Sequence, residues 1–470
     1  MILVEMPWGR DKDPRVPLGH ASLIAVINMK LEINYHSIIK PINDANFDVI
    51  DIFNEIQTII DKDPQITFDI AFGVYVWAEE AIQALLKMLR SSGFHGRIIL
   101  GGPQISYCGE GLEKNYPEAD IFVRGYGEFA ISALADETGV LDMQGVHYSG
   151  KPDLLEQTFV DLELLPSPWL SGVIDLENQQ FIRWESQRGC PFKCGFCQHK
   201  EPGARLKKRE FKSSRIRDEI DLFCKKNVRD IAVLDPIFNS SSQSKNILKR
   251  FQSNGFTGRL SLQCRAEMAD AEFIELASKL DVCLEFGLQT IHKNEGKAVN
   301  RTNNMRVVEE VVELVNEKEI DYEISLIYGL PEQTIHSFRE TVDWCLSKSV
   351  PIIKAFPLML LRGTEVEQRK QEWGLVESEG SMPVVIQSNS FTHDEWCEMA
   401  KISEALKQTE GNHPNSIQDL LEIANELEID LSRYRPEIST TKGREIVFRG
   451  GYSDFQLRLH SKMFESYCRS

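Results

Sequence analysis

Two stretches of the chain alternate short apolar runs with amphipathic ones. In the first third, Ile2–Glu5, Phe68–Val76, Arg97–Leu100 and Ile121–Arg124 read as strands. Between and after them, 3.6-residue periodicity predicts helices at Ala21–Asn28, Ile50–Asp61, Glu79–Ser91 and Glu128–Asp136. Strand–helix alternation of this kind predicts a parallel sheet with helices on both faces, a doubly wound, Rossmann-like domain over 1–140. Residues 138–180 carry Pro152, Pro166 and Pro168 among polar stretches, and 141–180 is expected to be a linker.

The pattern resumes at 181. Strands are expected at Phe181–Ser186, Asp230–Leu234, Arg259–Cys264, Val282–Gly287, Tyr322–Ile327 and Ile352–Pro357. Helices are expected near Ser213–Lys226, Ser242–Ser253, Asp270–Lys279, Asn304–Glu317 and Ile335–Ser347. Six such units over 181–375 predict a partial (βα)6 barrel, two units short of a full eightfold one. The remainder, 376–470, shows helical patterns at Thr392–Gln408 and Ser416–Glu428, then a Gly- and Arg-containing segment, Thr441–Tyr452, to which no role is assigned. The fold class is therefore α/β, with a small, mainly helical C-terminal segment.

Charge narrows the function classes. The 470 residues carry a formal net charge of −18, which argues against a nucleic-acid-coating protein. A small metabolite or peptide is the better expectation for a substrate. No membrane span is visible, and the start MILVEMPWGRDKDP lacks a basic region and a long apolar run. A cytoplasmic location is the default expectation.

Seven of the ten cysteines are scattered and read mostly as small core residues. The other three fall in Arg188-Gly189-Cys190-Pro191-Phe192-Lys193-Cys194-Gly195-Phe196-Cys197. Three thiolates spaced CxxxCxxC can wrap three corners of a cubane [4Fe–4S] cluster and leave the fourth iron open. The loop follows the first barrel strand, at the face where barrels keep their chemistry. Gly189 and Gly195 would let the backbone pass close to the cluster, and Phe192 and Phe196 would shield it. Two other readings stand beside this one: His199 could complete a Cys3His zinc site, or the three could be unligated core cysteines in a polar segment.

The segment closely resembles the cluster loop of the radical S-adenosylmethionine superfamily. The resemblance implies that Cys190, Cys194 and Cys197 ligate three irons and that the amino and carboxylate groups of S-adenosylmethionine chelate the fourth. One electron, from a reductase or other donor, then cleaves the sulfonium and yields a 5′-deoxyadenosyl radical. Glu285-Phe286-Gly287-Leu288-Gln289-Thr290, with Arg301 twelve residues after Gln289, resembles the fourth-strand pattern of the branch that includes the methylthiotransferases and the coproporphyrinogen oxidases. There, matching residues contact the cofactor's ribose and carboxylate, and a guanidinium suits a carboxylate. Ser325–Glu332 resembles the fifth-strand end of the same group, with Glu332 where a second glycine is common. Arg265 and Glu267 are candidates for cofactor or substrate contact. Asp235 and Asn239 either face the site or cap the next helix. The basic run Lys200, Arg205, Lys207, Lys208 and Arg209 either neutralises an anion or is a solvated face.

The N-terminal stretch resembles the cobalamin-binding domain that precedes many radical S-adenosylmethionine enzymes. The matching pieces are Pro17–His20, Phe72–Trp77, Leu100–Pro103 and Arg124–Glu128. The resemblance implies cobalamin over the glycine turns Gly101-Gly102 and Gly125–Gly127, with Glu128 beside them. The DxHxxG motif is absent, and neither His20 nor His36 lies in such a context, so no axial histidine is implied. With cobalamin, the family's commonest activity is methyl transfer to an unreactive carbon. The alternatives are a radical oxidation or rearrangement without methylation, and a zinc-stabilised binding module without catalysis. No catalytic residue is singled out, and the substrate is not legible.

Overall fold

The computed structural model describes residues 1–434 apart from 31–32, 137–139, 178, 199–208, 381 and 433. The chain forms two compact units that divide after Gln179.

The first unit contains β1 (Ile2–Glu5), α1 (Leu18–Ile27), β2 (His36–Ile39), α2 (Val49–Lys62), β3 (Ile70–Gly73) and α3 (Glu79–Ser91). It continues with β4 (Ile98–Gly101), α4 (Pro103–Ser106), α5 (Leu112–Asn115), β5 (Ile121–Val123), α6 (Glu128–Asp136) and β6 (Val146–Tyr148). The sheet order is β2-β1-β3-β4-β5-β6. All neighbours are parallel except β5 and β6. Leu3, Ala71, Ile99, Ile121 and Val123 pack with Ile24, Ile27, Ile131 and Leu134 of α1 and α6 into one core. Pairing on both sides of β1 reverses the direction of winding, so the crevice at the carboxyl ends of β1 and β3 is the topological switch point.

The segment 141–180, expected as a linker, folds with this unit. It supplies β6 and buries Val160, Leu162, Leu165, Trp169, Ile174 and Leu176. The Thr158 amide donates to the Arg124 carbonyl at 2.8 Å. Arg124 itself is buried and donates to the carbonyls of Ile105 (2.9 Å) and Gly109 (3.2 Å), and pairs with Asp153.

The second unit begins with β7 (Phe181–Trp184), β8 (Gln187–Arg188), β9 (Arg209–Glu210), α7 (Ser213–Lys225), β10 (Asp230–Val233), α8 (Ser244–Ser253), β11 (Arg259–Cys264) and α9 (Ala271–Ala277). Then come β12 (Asp281–Gln289), α10 (Lys293–Ala298), α11 (Met305–Glu317), β13 (Asp321–Tyr328), α12 (Ile335–Ser347) and β14 (Ile352–Pro357). Six parallel strands run β14-β13-β12-β11-β10-β7, the expected six-unit barrel. Helix α11 shows why the periodicity was legible: Val308, Val311, Val312 and Val315 are its buried face. Trp184, on the helix-facing side of β7, donates its indole N–H to Glu219 at 2.7 Å and packs edge-on against Phe223 and Phe251.

Residues beyond 357 add α13 (Glu365–Gln368), a hairpin of β15 (Val376–Glu377) and β16 (Val385–Gln387), α14 (His393–Gln408) and α15 (Ile417–Glu426). Thr392 starts α14 with a capping box to Glu395. Thr441–Tyr452 lies outside the described residues. No helix among the described residues is long and apolar enough to cross a membrane.

Glu332, in the turn between β13 and α12, has φ of 64°. That left-handed backbone favours glycine, which is why a glycine is common at this point of the related pattern. Glu332→Gly should therefore stabilise the second unit by up to about 1 kcal/mol, seen as a higher urea midpoint. Glu332→Ala should not.

Candidate active site and a second crevice

In the second unit, the strand ends bring the cysteine loop and two arginines together. The loop's entry is fixed by Asp235, at the end of β10. Its carboxylate is buried and accepts from the Ser186 amide (2.7 Å), the Gln187 amide (3.1 Å) and the Ser186 hydroxyl. Burial pushes the Asp235 carboxyl up to about 7, against the pull of the Ser186 and Gln187 bonds. Asn239 exchanges two hydrogen bonds with the backbone of Arg265, at 2.9 and 3.0 Å. Both residues thus hold the backbone of neighbouring strand ends; neither caps a helix.

Further along the loop, the Gly195 amide donates to the Val299 carbonyl (2.7 Å), and the Val366 amide donates to Gly195 (3.0 Å). Gln198 donates to the Arg362 carbonyl at 2.8 Å. Gly189 has φ of 80°, so the turn into Cys190 requires glycine. β8 and β9 close the loop's ends, pairing Gln187 with Glu210 and Arg188 with Arg209. His199, Lys200, Arg205, Lys207 and Lys208 lie outside the described residues.

Cys190, Cys194 and Cys197 are all half-buried. Burial raises the Cys190 thiol above its ordinary value, while Arg301 and Arg265 pull it down. The Arg265 guanidinium lies 4.2 Å from the centre of the Phe192 ring, bonds Glu267 at 3.2 Å and donates to the Thr302 carbonyl at 2.9 Å. Arg301 is 6% exposed; burial and the like charge of Arg265 lower its pKa, and the nearby cysteines oppose that. Two guanidiniums beside the Cys190 and Cys194 thiols are surroundings that suit a negatively charged, cysteinate-bound cluster. Among the described residues, no three His, Cys, Asp or Glu side chains converge on a single metal ion. A cubane spreads its thiolates wider than one ion does, so the cluster reading requires no such convergence.

The fourth strand supplies the rest. Phe286 and Leu288 face α11 and line a small cavity with Val308 and Val312. By alternation, Glu285 and Gly287 face the barrel interior. Gln289 has φ of 69°, and the register with β13 shifts between Gly287 and Gln289. Arg301 donates to the Gly287 carbonyl. A Cβ on Gly287 would stand 2.9 Å from Gln289 Nε2 and 3.7 Å from Arg301 Nη2, so this glycine leaves the space into which both side chains fold. The structure therefore places Arg301, Gln289 and Gly287 together, with Glu285 one inward position deeper and buried.

Two features escaped the sequence reading. Gln333 is fully buried; its side-chain oxygen accepts from the Gly329 amide (2.7 Å) and the Leu330 amide (3.2 Å), and its amide donates to Ile327 (3.1 Å). Gln333 thus shapes the Gly329-Leu330-Pro331 turn. Within the barrel, Lys354 and Glu323 form a buried ion pair, and Glu323 stands in register with Glu285. A charge inside an apolar strand is the sequence signal for Lys354 and Glu323; Gln333 carries none.

In the first unit, the predicted glycines prove to have different reasons. Gly102 (φ 93°) would put a Cβ 2.9 Å from Val74 backbone, and Gly125 (φ 84°) would put one 2.7 Å from the Thr158 carbonyl. Those two are demanded by packing. At Gly101 and Gly127 a Cβ would meet nothing closer than 3.6 Å. Glu128 starts α6, is buried, and accepts from the Ser22 hydroxyl at 3.1 Å. His20 is bonded to Ser37 at 2.8 Å, and burial lowers it to about 4, so it is neutral near pH 7. Missed altogether was Glu5, at the end of β1. It is 7% exposed, and burial alone pushes its carboxyl up to about 8.

That placement has a measurable consequence. Unfolded, Glu5 ionises near 4.5; folded, near 8. Between those values the folded chain keeps a proton that the unfolded chain has lost, so stability falls as pH rises from about 4.5 to 8. Glu5→Gln should remove this loss. Hydrogen-exchange protection of the β1 and β3 amides should rise by an amount on the order of 3 kcal/mol at pH 8, and by under about 1 kcal/mol at pH 5.

With this geometry in hand, residues 184–345 match the family model of the Radical SAM superfamily. The chain is 24% identical over 386 residues to the cobalamin-dependent radical SAM methyltransferase TokK of Streptomyces tokunonensis. That alignment covers 72% of this chain and 56% of TokK, so the chain spans little more than half of that relative. Among solved structures, TsrM, a radical S-adenosylmethionine methyltransferase from Kitasatospora setae solved with cobalamin and a [4Fe–4S] cluster, aligns with a TM-score of 0.61. It is 15% identical, over 84% of each chain. OxsB, a cobalamin-dependent S-adenosylmethionine radical enzyme solved with aqua-cobalamin and S-adenosylmethionine, aligns with a TM-score of 0.64. It is 14% identical, over 87% of this chain and 66% of OxsB. These two likenesses show the fold: a Rossmann-like unit joined to a partial barrel.

Proposed function

We propose that the chain, whose residues 184–345 match the Radical SAM superfamily model, is a cobalamin-dependent radical enzyme that methylates an unreactive carbon of a small molecule or peptide. The observation that carries the proposal is the convergence of Cys190, Cys194, Arg265 and Arg301 at one set of strand ends. The names of TokK and TsrM, both methyltransferases, support the choice of reaction.

In this reading Cys190, Cys194 and Cys197 hold a [4Fe–4S] cluster. When bound, the cluster supplies the electron that cleaves S-adenosylmethionine to a 5′-deoxyadenosyl radical, and cobalamin supplies the methyl group to be transferred. The residues of the chain bind and orient. Arg301 faces the cofactor's carboxylate, to which a guanidinium can donate two parallel bonds. Gln289 and Glu285 offer an amide and a carboxyl to the ribose hydroxyls. Arg265, stacked on Phe192, offsets negative charge beside the thiolates and holds the loop against the strand ends. Phe192 and Phe196 keep water from the cluster. Cobalamin belongs to the first unit, at the carboxyl ends of its strands near Gly101, Gly102, Gly125, Gly127 and Glu128. An external reductase provides the electron.

The second reading is radical chemistry without methylation. The likeness to OxsB, a cobalamin-dependent S-adenosylmethionine radical enzyme, is compatible with it.

The test uses anaerobically reconstituted chain, a reductant and methyl-labelled S-adenosylmethionine. Release of 5′-deoxyadenosine, lost by roughly 100-fold in Cys194→Ala, is the expected result. Arg301→Ala should raise the KM for S-adenosylmethionine about 10-fold or more. Label in the product of an accepted substrate supports methyl transfer; 5′-deoxyadenosine formed without label supports the second reading. A colourless, zinc-containing protein that releases none overturns both.

A further inference from the structure

The switch point of the first unit holds two polar groups that no described residue bonds. Glu5 ends β1 and Tyr75 follows β3, so the two flank the crevice where this strand order binds ligands. Around them, other polar side chains are committed: His20 to Ser37, and Glu128 to Ser22. Trp77 donates to the Met6 carbonyl at 3.0 Å and stacks on Tyr75, with ring centres 4.7 Å apart and planes 8° apart, which fixes the phenol's direction. Among the described residues, neither the Glu5 carboxyl nor the Tyr75 hydroxyl makes a hydrogen bond or an ion pair. The small residues beside them leave room. A Cβ on Gly73 would stand 2.5 Å from Glu5 Oε2, and one on Gly19 would stand 3.6 Å from the Tyr75 hydroxyl.

The electrostatics select the ligand's chemistry. Burial raises the Tyr75 hydroxyl above its ordinary range, and the carboxyls of Glu5 and Glu128 raise it further. Both Glu5 and Tyr75 therefore present an O–H near neutral pH. An anion would meet the carboxyls of Glu5 and Glu128 here. A neutral acceptor would receive two donated bonds and relieve the buried Glu5 carboxyl and the half-buried Tyr75 hydroxyl of their unmet hydrogen bonding.

Resting on the cobalamin reading above, we propose that Glu5 and Tyr75 donate hydrogen bonds to a neutral acceptor of the bound corrinoid. Two parts of the molecule carry such an acceptor: the carboxamides around the ring and the free nitrogen of the nucleotide base. Cobinamide keeps the carboxamides and lacks the base, so it separates the two sources.

The experiment titrates the full chain with hydroxocobalamin and with cobinamide, following tryptophan fluorescence. The variants are Tyr75→Phe, Glu5→Leu and Glu5→Gln. Tyr75→Phe and Glu5→Leu should each weaken cobalamin binding about 10-fold, and Glu5→Gln, whose amide still donates, should bind within about 3-fold of the native chain. Recovery in Glu5→Gln separates a lost hydrogen bond from a lost fold. If a carboxamide is the acceptor, cobinamide loses affinity in the same variants by the same factor. If the base is the acceptor, native chain binds cobinamide more weakly and the variants change it no further. Native chain that binds cobalamin, with Tyr75→Phe and Glu5→Leu binding equally well, overturns this inference and leaves the cobalamin reading standing. Native chain that binds no cobalamin overturns both.

Discussion

The backbone bond between the Gly195 amide and the Val299 carbonyl is the constraint on which the barrel site depends. Val299 lies two residues before Arg301, so the loop carrying three thiols and the segment carrying the buried guanidinium share one tether. Asp235 fixes the other end of the loop through Ser186 and Gln187. A flexible cysteine loop could bind iron; a loop held at both ends can also present it to groups on other strands. Glu285 and Gly287 face the interior by strand alternation, and the irregularity after Gly287 folds the Gln289 side chain back over Gly287. Gly287 has no side chain there, and the space it leaves is filled by Gln289 and Arg301.

The first unit applies the same logic to a different fold. A parallel sheet gathers its strand ends on one edge, and the reversal of winding at β1 opens a crevice there. Most polar groups near that edge serve the protein itself. Arg124, Thr158 and Ser106 knit the turns after β4 and β5 to the 141–180 segment. Against that background the Glu5 carboxyl stands out as a buried group with a desolvation cost and no partner among the described residues.

Much of this was legible in the sequence, for physical reasons. Long amphipathic helices and fully buried parallel strands print their periods plainly, and Glu79–Ser91, Arg259–Cys264, Ile335–Ser347 and Ile352–Pro357 fall where the periods put them. Strand β2 is a half-exposed edge of four residues, and β6 is three residues of an antiparallel return, so neither carries a period long enough to read. The 141–180 segment reads as a linker because its buried residues are irregularly spaced; tertiary packing, not periodicity, holds them. The cysteine loop stood out because its spacing is a local signal, readable without knowing which strands meet. Gln333 and Glu5 were not, since a glutamine clamp and an unpaired buried acid depend on which strand ends meet in space. Arg124 lay inside a recognised glycine segment, but its structural task appears only when the carbonyls it bonds are placed.

The central claim is that three cysteines hold a cluster with one iron left open for S-adenosylmethionine. Mössbauer spectra of the full chain reconstituted with iron-57, taken before and after adding S-adenosylmethionine, test it most directly. The account predicts about four irons per chain as a [4Fe–4S] cluster, with a single iron subsite shifted when S-adenosylmethionine is added. A spectrum that S-adenosylmethionine leaves unchanged, or a chain that takes up zinc and no iron, would contradict it.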